Sequence, residues 1–155
     1  MLSMTNRATK IIIAVVVVVG ICVLFVFGVL AGAAVIGYKA ATRVGYEAAT
    51  VQNLKTIATA EIQYFDTHNR TFGSLDQLIS EQLLSRKFSG NPIVADGYVF
   101  TLSLSRKPDG SSLWYKLTAD PHDESTGRNH FYLDSDEGRI RVSPNDQAGP
   151  ADPSN

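Results

Sequence analysis

The chain has 155 residues and a formal net charge of −1, a length that fits one ordinary domain beside an unusual apolar stretch. The first 46 residues contain no Asp or Glu, whereas the part from Val44 onward contains 10 Lys and Arg against 15 Asp and Glu. Such an acidic domain lacks the extended basic surface that a nucleic acid requires, which argues against nucleic acid as a partner. Cys22 is the only cysteine, so an intrachain disulfide is excluded.

An unbroken apolar run extends from Ile11 to Gly37 and contains no charged residue, Pro, Asn or Gln. As a helix it would be about 40 Å long, which exceeds the ~30 Å hydrocarbon core of a bilayer. We therefore predict one membrane-spanning helix at 11–37, preceded by a short cytoplasmic leader at 1–10. One alternative is a buried core helix, but the rest of the chain is small for a domain that would have to surround it. The other is a signal peptide cut at Ala31-Gly32-Ala33, for which the run is too long.

Basic residues flank both ends of the predicted membrane helix. Arg7 and Lys10 favour a cytoplasmic N-terminus, but Lys39 and Arg43 at the other end carry an equal side-chain charge. The charge pattern alone therefore leaves the orientation open.

Gly28 and Gly32 form a GxxxG pattern within the apolar run. Small residues at this spacing let another helix approach closely, which predicts helix–helix packing at these two positions. The alternative is a solitary span, in which small residues are also common.

No Pro occurs between Tyr38 and His68, and apolar residues recur there at spacings of three and four. This pattern predicts an amphipathic helix that continues the membrane helix, with its apolar stripe packed on the core of the same chain. The predicted stripe consists of Val44, Ala48, Val51, Leu54, Ala58, Ile62 and Phe65.

Shorter elements follow the long helix. A capping-box pattern at Ser74–Gln77 predicts a second, short helix, and Gly90-Asn91-Pro92 ends the helical part of the sequence. Alternating apolar residues then predict strands at Tyr98–Leu104 and Leu113–Ala119, joined by a turn at Lys107–Gly110.

Two further strands are predicted near the C-terminus. Phe131–Leu133 is followed by a turn at Asp134–Gly138 and by a strand at Ile140–Val142. The turn begins like an EF-hand loop but lacks its required offsets. The predicted fold class is α+β, with the long helix covering an antiparallel sheet of three or four strands. The tail, 143–155, is predicted to be disordered because it lacks large apolar residues and contains three Pro.

The order of these elements resembles the type IV pilins and the pseudopilins of type II secretion. The stretches that carry the resemblance read ATVQNLKTIATAEIQYF (49–65), TFGSLDQL (71–78), GYVFTL (97–102) and TGRNHFYLDSDEGRIR (126–141). The resemblance implies a single-pass protein of the bacterial cytoplasmic membrane, whose pilin-like domain at 38–142 lies in the periplasm or outside the cell. It also implies assembly with other pilin-like subunits through the N-terminal helix, as in a pilus or a pseudopilus.

The apolar run departs from the pattern of this family. Filament-forming members carry a leader that ends in Gly or Ala and a Glu at the fifth position of the mature helix. This chain reads Ala8-Thr9-Lys10-Ile11 there and has no acid before Glu47. In the family the Glu is thought to pair with a neighbour's amino terminus. Without the Glu, that positive charge would lie unpaired in apolar surroundings. Two hypotheses stay open: a subunit that polymerises, and an uncleaved, membrane-anchored interaction module that does not.

The sequence offers few candidates for chemistry. His68, His122 and His130 show no metal-binding spacing, and the chain contains no nucleophile, phosphate-binding or dinucleotide motif. We therefore predict a structural or interaction protein and not an enzyme.

One loop carries a possible metal site. Asp120, Asp123 and Glu124 lie within five residues, and carboxylate oxygens are the hard ligands that calcium prefers. Some major pseudopilins have a calcium site in a corresponding loop, so calcium is the one cofactor the sequence suggests. The alternative is an ordinary solvated loop, with no cofactor at all.

Overall fold

The computed structural model describes residues 2–106, 113–144 and 146–154, and for part of the first helix, 26–37 included, it describes the backbone only. The chain divides into two units, Met1–Ala41 and Thr42–Asn155. The helices are α1 (Leu2–Thr67), α2 (Leu75–Ser80) and a 3₁₀ helix (Arg86–Phe88). The strands are β1 (Ile93–Ala95), β2 (Tyr98–Arg106), β3 (Leu113–Pro121), β4 (His130–Asp134) and β5 (Arg141–Ser143).

The five strands form one antiparallel sheet in which each strand lies beside its neighbour in sequence. The predicted α+β class and antiparallel meander are confirmed. The sheet has five strands and not three or four, because β1 adds an edge strand directly after Pro92. Three residues are too few to show an alternating pattern. The turn predicted at Lys107–Gly110 lies outside the described residues.

The first unit consists of the N-terminal part of α1. Its described large apolar side chains are largely exposed, from 53% for Val17 to 74% for Leu24. Within the described part of the chain, no helix is found that is both long and apolar enough to cross a membrane. Gly28 and Gly32 lie on α1. The structure does not describe the surroundings of these two residues, so packing at this pair stays a prediction.

In the second unit, α1 packs on the sheet through a face that overlaps the predicted stripe only in part. Leu54 is fully buried as predicted, but Val44 and Ile62 are 67% and 58% exposed. Ile57 and Tyr64 are buried in their place. The predicted stripe is therefore confirmed in part, since Val51 and Ala58 also pack against the core, and it is wrong at Val44 and Ile62.

The buried face also contains three polar residues, Thr50, Asn53 and Glu61. Thr50 donates its hydroxyl hydrogen to the backbone carbonyl one turn earlier, at 2.9 Å. Asn53 Nδ2 donates to Asp96 Oδ2 at 2.8 Å, and Asn53 Oδ1 accepts from Lys87 Nζ at 2.7 Å. The hydrogen bonds from Asn53 and Lys87 hold the pKa of Asp96 below its usual range. Polar residues can occupy a buried face when they have such partners.

The core lies between this face of α1 and the sheet. The short helix α2 begins as predicted, with a capping box. Ser74 accepts a hydrogen bond from the Gln77 N–H, and the Gln77 side chain accepts one from the Ser74 N–H. The largest fully buried apolar side chains outside α1 come from α2, the 3₁₀ helix and β2 to β4: Leu78, Phe88, Tyr98, Phe100, Leu117, Phe131 and Leu133.

The C-terminal segment is held by specific contacts where its composition predicts disorder. The Val142 N–H donates to the Pro153 carbonyl at 3.0 Å, and Arg141 Nη1 donates to the Asp152 carbonyl at 2.6 Å. Ala148 is only 4% exposed. Backbone hydrogen bonds to β5 thus order a segment that has no large apolar residue, and composition does not reveal such bonds.

Candidate functional site

The loop between β3 and β4 is the loop in which the sequence predicts calcium. Asp123 Oδ1 accepts from the backbone N–H groups of Ser125 and Thr126, at 2.7 and 3.2 Å, and from the Ser125 hydroxyl. Its second oxygen lies 3.6 Å from His122 Nδ1. The hydrogen bonds from Ser125 are the main reason that the pKa of Asp123 lies below its usual range. This carboxylate therefore closes the turn of its own loop.

The other two predicted calcium ligands, Asp120 and Glu124, lie in different surroundings from Asp123. Asp120 Oδ1 lies 2.7 Å from His130 Nδ1, which joins the end of β3 to the start of β4. Glu124 is exposed. Within the described residues no group of three or more His, Cys, Asp or Glu side chains could hold a metal ion. Asp120, Asp123 and Glu124 are thus not brought together as the predicted calcium site, because two of them are engaged by the protein itself.

Glu47 on α1 fixes the far end of this loop. Its Oε1 accepts from the backbone N–H groups of Arg128 and Asn129 at 3.2 and 3.4 Å, and its Oε2 accepts from Asn129 Nδ2 at 2.7 Å. The Tyr98 hydroxyl donates to the Asn129 carbonyl at 3.1 Å. A Cβ atom on Gly127 would lie 2.0 Å from the Tyr98 hydroxyl oxygen, so only glycine fits there. The loop backbone is therefore held on both sides.

An open cleft of about 620 Å³ lies beside the loop. Its positively charged side chains are Arg43 from α1 and Arg128 from the loop, and His130 lies with them. Arg43 Nε is buried and has no hydrogen-bond partner among the described residues. The complete lining is Arg43, Pro121, Asp123, Glu124, Gly127, Arg128, His130 and Pro144.

A second unusual group, Glu61, lies in the core away from this loop. The residue is fully buried, and its Oε2 accepts from the Gly73 N–H at 3.0 Å. Its Oε1 is buried without a partner among the described residues. Burial raises the pKa of Glu61 to about 7, against the opposing effect of the Gly73 hydrogen bond. Burial, with added repulsion from Glu61 and Asp134, also raises the pKa of Tyr115. Glu61 can therefore gain or lose a proton near neutral pH.

Sequence reasoning missed Arg43, Glu47, Glu61 and Arg128 as functional candidates. Glu61 had a usable signal, because it lies four residues after Ile57 and thus shares the helical phase of the buried face. Arg43 and Arg128 had none, since they are far apart in sequence and only the fold brings them to one cleft.

Comparison of the chain with protein-family models gives no match. Comparisons with curated proteins and with solved structures give no match either. We therefore assign the chain to no family and infer its function from its residues and its fold.

Proposed function

We propose that the chain is a single-pass protein of the bacterial cytoplasmic membrane with an extracytoplasmic, pilin-like domain, and that it acts as a structural or interaction protein. The proposal rests on a contrast within α1. Described apolar side chains between Ile11 and Phe25 are mostly more than half exposed, whereas the face from Thr50 to Tyr64 is buried in the core. Apolar side chains exposed over several helical turns need a non-aqueous environment or another apolar surface.

The first candidate function is that of a subunit in a pilus or a type II secretion pseudopilus. A long helix that leads from an apolar run onto an antiparallel sheet supports this class. The GxxxG pattern at Gly28 and Gly32 supports association of N-terminal helices between subunits.

The second candidate is an uncleaved, membrane-anchored interaction module that does not polymerise. Glu47 favours this alternative, because it is the first acid of the chain and its carboxylate is bound to Arg128 and Asn129. A carboxylate held within its own domain does not serve a neighbour's amino terminus.

Membrane insertion is tested by alkaline carbonate extraction of bacterial membranes that contain the full chain. We expect the protein to stay in the membrane pellet and to be released by detergent. Intact mass of the recovered protein then measures processing, since a chain that starts near Thr9 supports the polymerising subunit. Release by carbonate alone would contradict the membrane anchor.

Assembly is tested by oxidative crosslinking at Cys22, which is exposed on α1. If helices pack through Gly28 and Gly32, the double replacement by Leu should abolish the crosslinked dimer. Gly20→Leu is the matched control, because a Cβ at Gly20 meets nothing within 4 Å. A dimer that forms equally in all three proteins would contradict packing at this pair.

A further inference from the structure

Two guanidinium groups at the cleft beside the β3–β4 loop have no partner in the described protein. Arg43 Nε is buried without a hydrogen bond, and no hydrogen bond or ion pair engages the Arg128 side chain among the described residues. A buried donor without a partner costs free energy. An oxyanion bound in the cleft would give both guanidinium groups a partner of opposite charge.

The carboxylates on the same cleft form no ion pair with these arginines in the described structure. Asp123 uses its oxygens within its own turn and toward His122, and in the described structure Glu124 forms no ion pair with Arg43 or Arg128. The two carboxylates balance the two guanidinium groups in formal charge, but neither is paired with an arginine, so both guanidinium groups are left to bind an oxyanion.

The cleft is also built in advance of any ligand. Glu47 fixes the backbone of Arg128, and Gly127 lies against the Tyr98 hydroxyl. Asp120 engages His130 Nδ1, which leaves the Nε2 atom of the ring as the one that can bind a ligand in the cleft. A fixed loop backbone lowers part of the entropic cost of binding.

Planar guanidinium groups match phosphate oxygens in bidentate geometry, so phosphate is the ligand chemistry that two arginines on one cleft favour. The source of that phosphate follows from the proposed function, on which this inference rests. Arg43 lies six positions after Gly37, the end of the apolar run. This tether is about 9 Å long if helical and about 20 Å at most. The headgroup layer extends about 5 to 8 Å beyond the hydrocarbon core.

We propose that the cleft formed by Arg43, Arg128 and His130 binds the phosphate group of an anionic phospholipid. The lipid phosphate lies between the two guanidinium groups, and the domain is thereby held at the membrane surface.

The test uses the full chain in nanodiscs of phosphatidylcholine, with and without about one third phosphatidylglycerol. We expect the anionic lipid to raise the Tm of the domain by about 5 °C. Arg43→Gln and Arg128→Gln should each remove most of this shift, whereas Arg86→Gln, at an exposed arginine of the 3₁₀ helix, should keep it. A shift that persists equally in all variants would show general charge attraction and overturn the proposal.

A second arm separates lipid phosphate from free phosphate and from failure of the membrane anchor. Inorganic phosphate is titrated against the full chain in a neutral detergent, where no bilayer is needed. If the cleft recognises phosphate, each Arg→Gln change should weaken this binding about tenfold. Saturation by micromolar phosphate with no response to phosphatidylglycerol would overturn the lipid assignment. Absence of both responses would overturn the cleft itself, whereas failure to insert into nanodiscs would contradict only the proposed function.

Discussion

Two regions of α1 bury their side chains in opposite ways. Between Ile11 and Phe25, the most apolar part of the chain, the described side chains are mostly exposed. Between Thr50 and Tyr64 the composition is more polar, yet one face is buried against the sheet. Burial in the second unit therefore depends on what the helix face meets, and not on the apolar content of the helix.

The difference also separates two uses of the hydrophobic effect. The face from Thr50 to Tyr64 stabilises the fold of its own chain, because its apolar atoms leave water when the domain folds. The apolar side chains between Ile11 and Phe25 gain nothing from the folding of the domain, and their removal from water requires a membrane or another molecule.

The largest expected effect is a loss of stability in the buried region. Leu54→Ala removes a fully buried side chain and should lower the free energy of unfolding by about 2 to 5 kcal/mol. Val17→Ala, at a position 53% exposed, should change it by less than about 0.5 kcal/mol. Both are measured by chemical denaturation of the full chain in detergent. Equal effects would contradict the contrast between the two regions.

The next effect concerns the carboxyl group in the buried face. The folded pKa of Glu61, about 7, lies above its usual 4.5, so the folded state binds this proton more tightly than the unfolded state. The contribution of Glu61 to stability is therefore fully present below pH 4.5 and is lost as the pH rises through about 7, a difference of about 3 kcal/mol.

Glu61→Gln tests this dependence, because the amide keeps an oxygen for the Gly73 N–H and cannot ionise. The variant should be more stable than the parent at pH 8 and should lose the advantage near pH 4.5. Glu81→Gln, at an exposed glutamate, is the control. An advantage of Glu61→Gln that is the same at both pH values would exclude ionisation as its cause.

A smaller loss is expected where α1 meets the β3–β4 loop. Glu47→Ala removes the acceptor for Arg128 and Asn129 and should lower the free energy of unfolding by about 1.5 to 3 kcal/mol. Glu124→Ala, at an exposed position of the same loop, should have little effect. Hydrogen exchange of the Asn129 amide is the sharper measurement, and unchanged protection in Glu47→Ala would contradict the anchoring role.

The smallest effect is expected from calcium. Because Asp120 and Asp123 are engaged by His130 and by the loop backbone, removal of calcium with a chelator should leave the Tm unchanged. Thermal unfolding with calcium and with excess chelator measures this. A chelator-dependent fall in Tm that Asp123→Ala abolishes would restore the calcium site.

The regular elements could be predicted from sequence where local pattern and burial agree. Ser74 and Gln77 specify the start of α2 by their own side chains, and the alternation at Tyr98 and Phe100 matches their burial. The buried face of α1 could not be predicted by counting apolar residues. Glu61 belongs to that face and counts as polar, whereas Ile62 is apolar and exposed.

The cleft was beyond sequence reasoning for a different reason. Arg43 and Arg128 come together only after α1 has packed on the sheet and Glu47 has fixed the β3–β4 loop. No local pattern records such a long-range contact. The loop acids were visible in the sequence, but whether Asp123 bonds to its own backbone or faces outward depends on the turn it forms.

The C-terminal segment has one more consequence, for the behaviour of the sheet in solution. Strand edges with free backbone groups recruit other strands and promote aggregation. Beside β5, the Pro153 carbonyl and a bridge between Arg141 and Ser154 occupy part of that edge. A proline-rich segment extends the edge poorly, because proline offers no backbone donor. The segment thus leaves less of the β5 edge open to pairing with a strand of another domain.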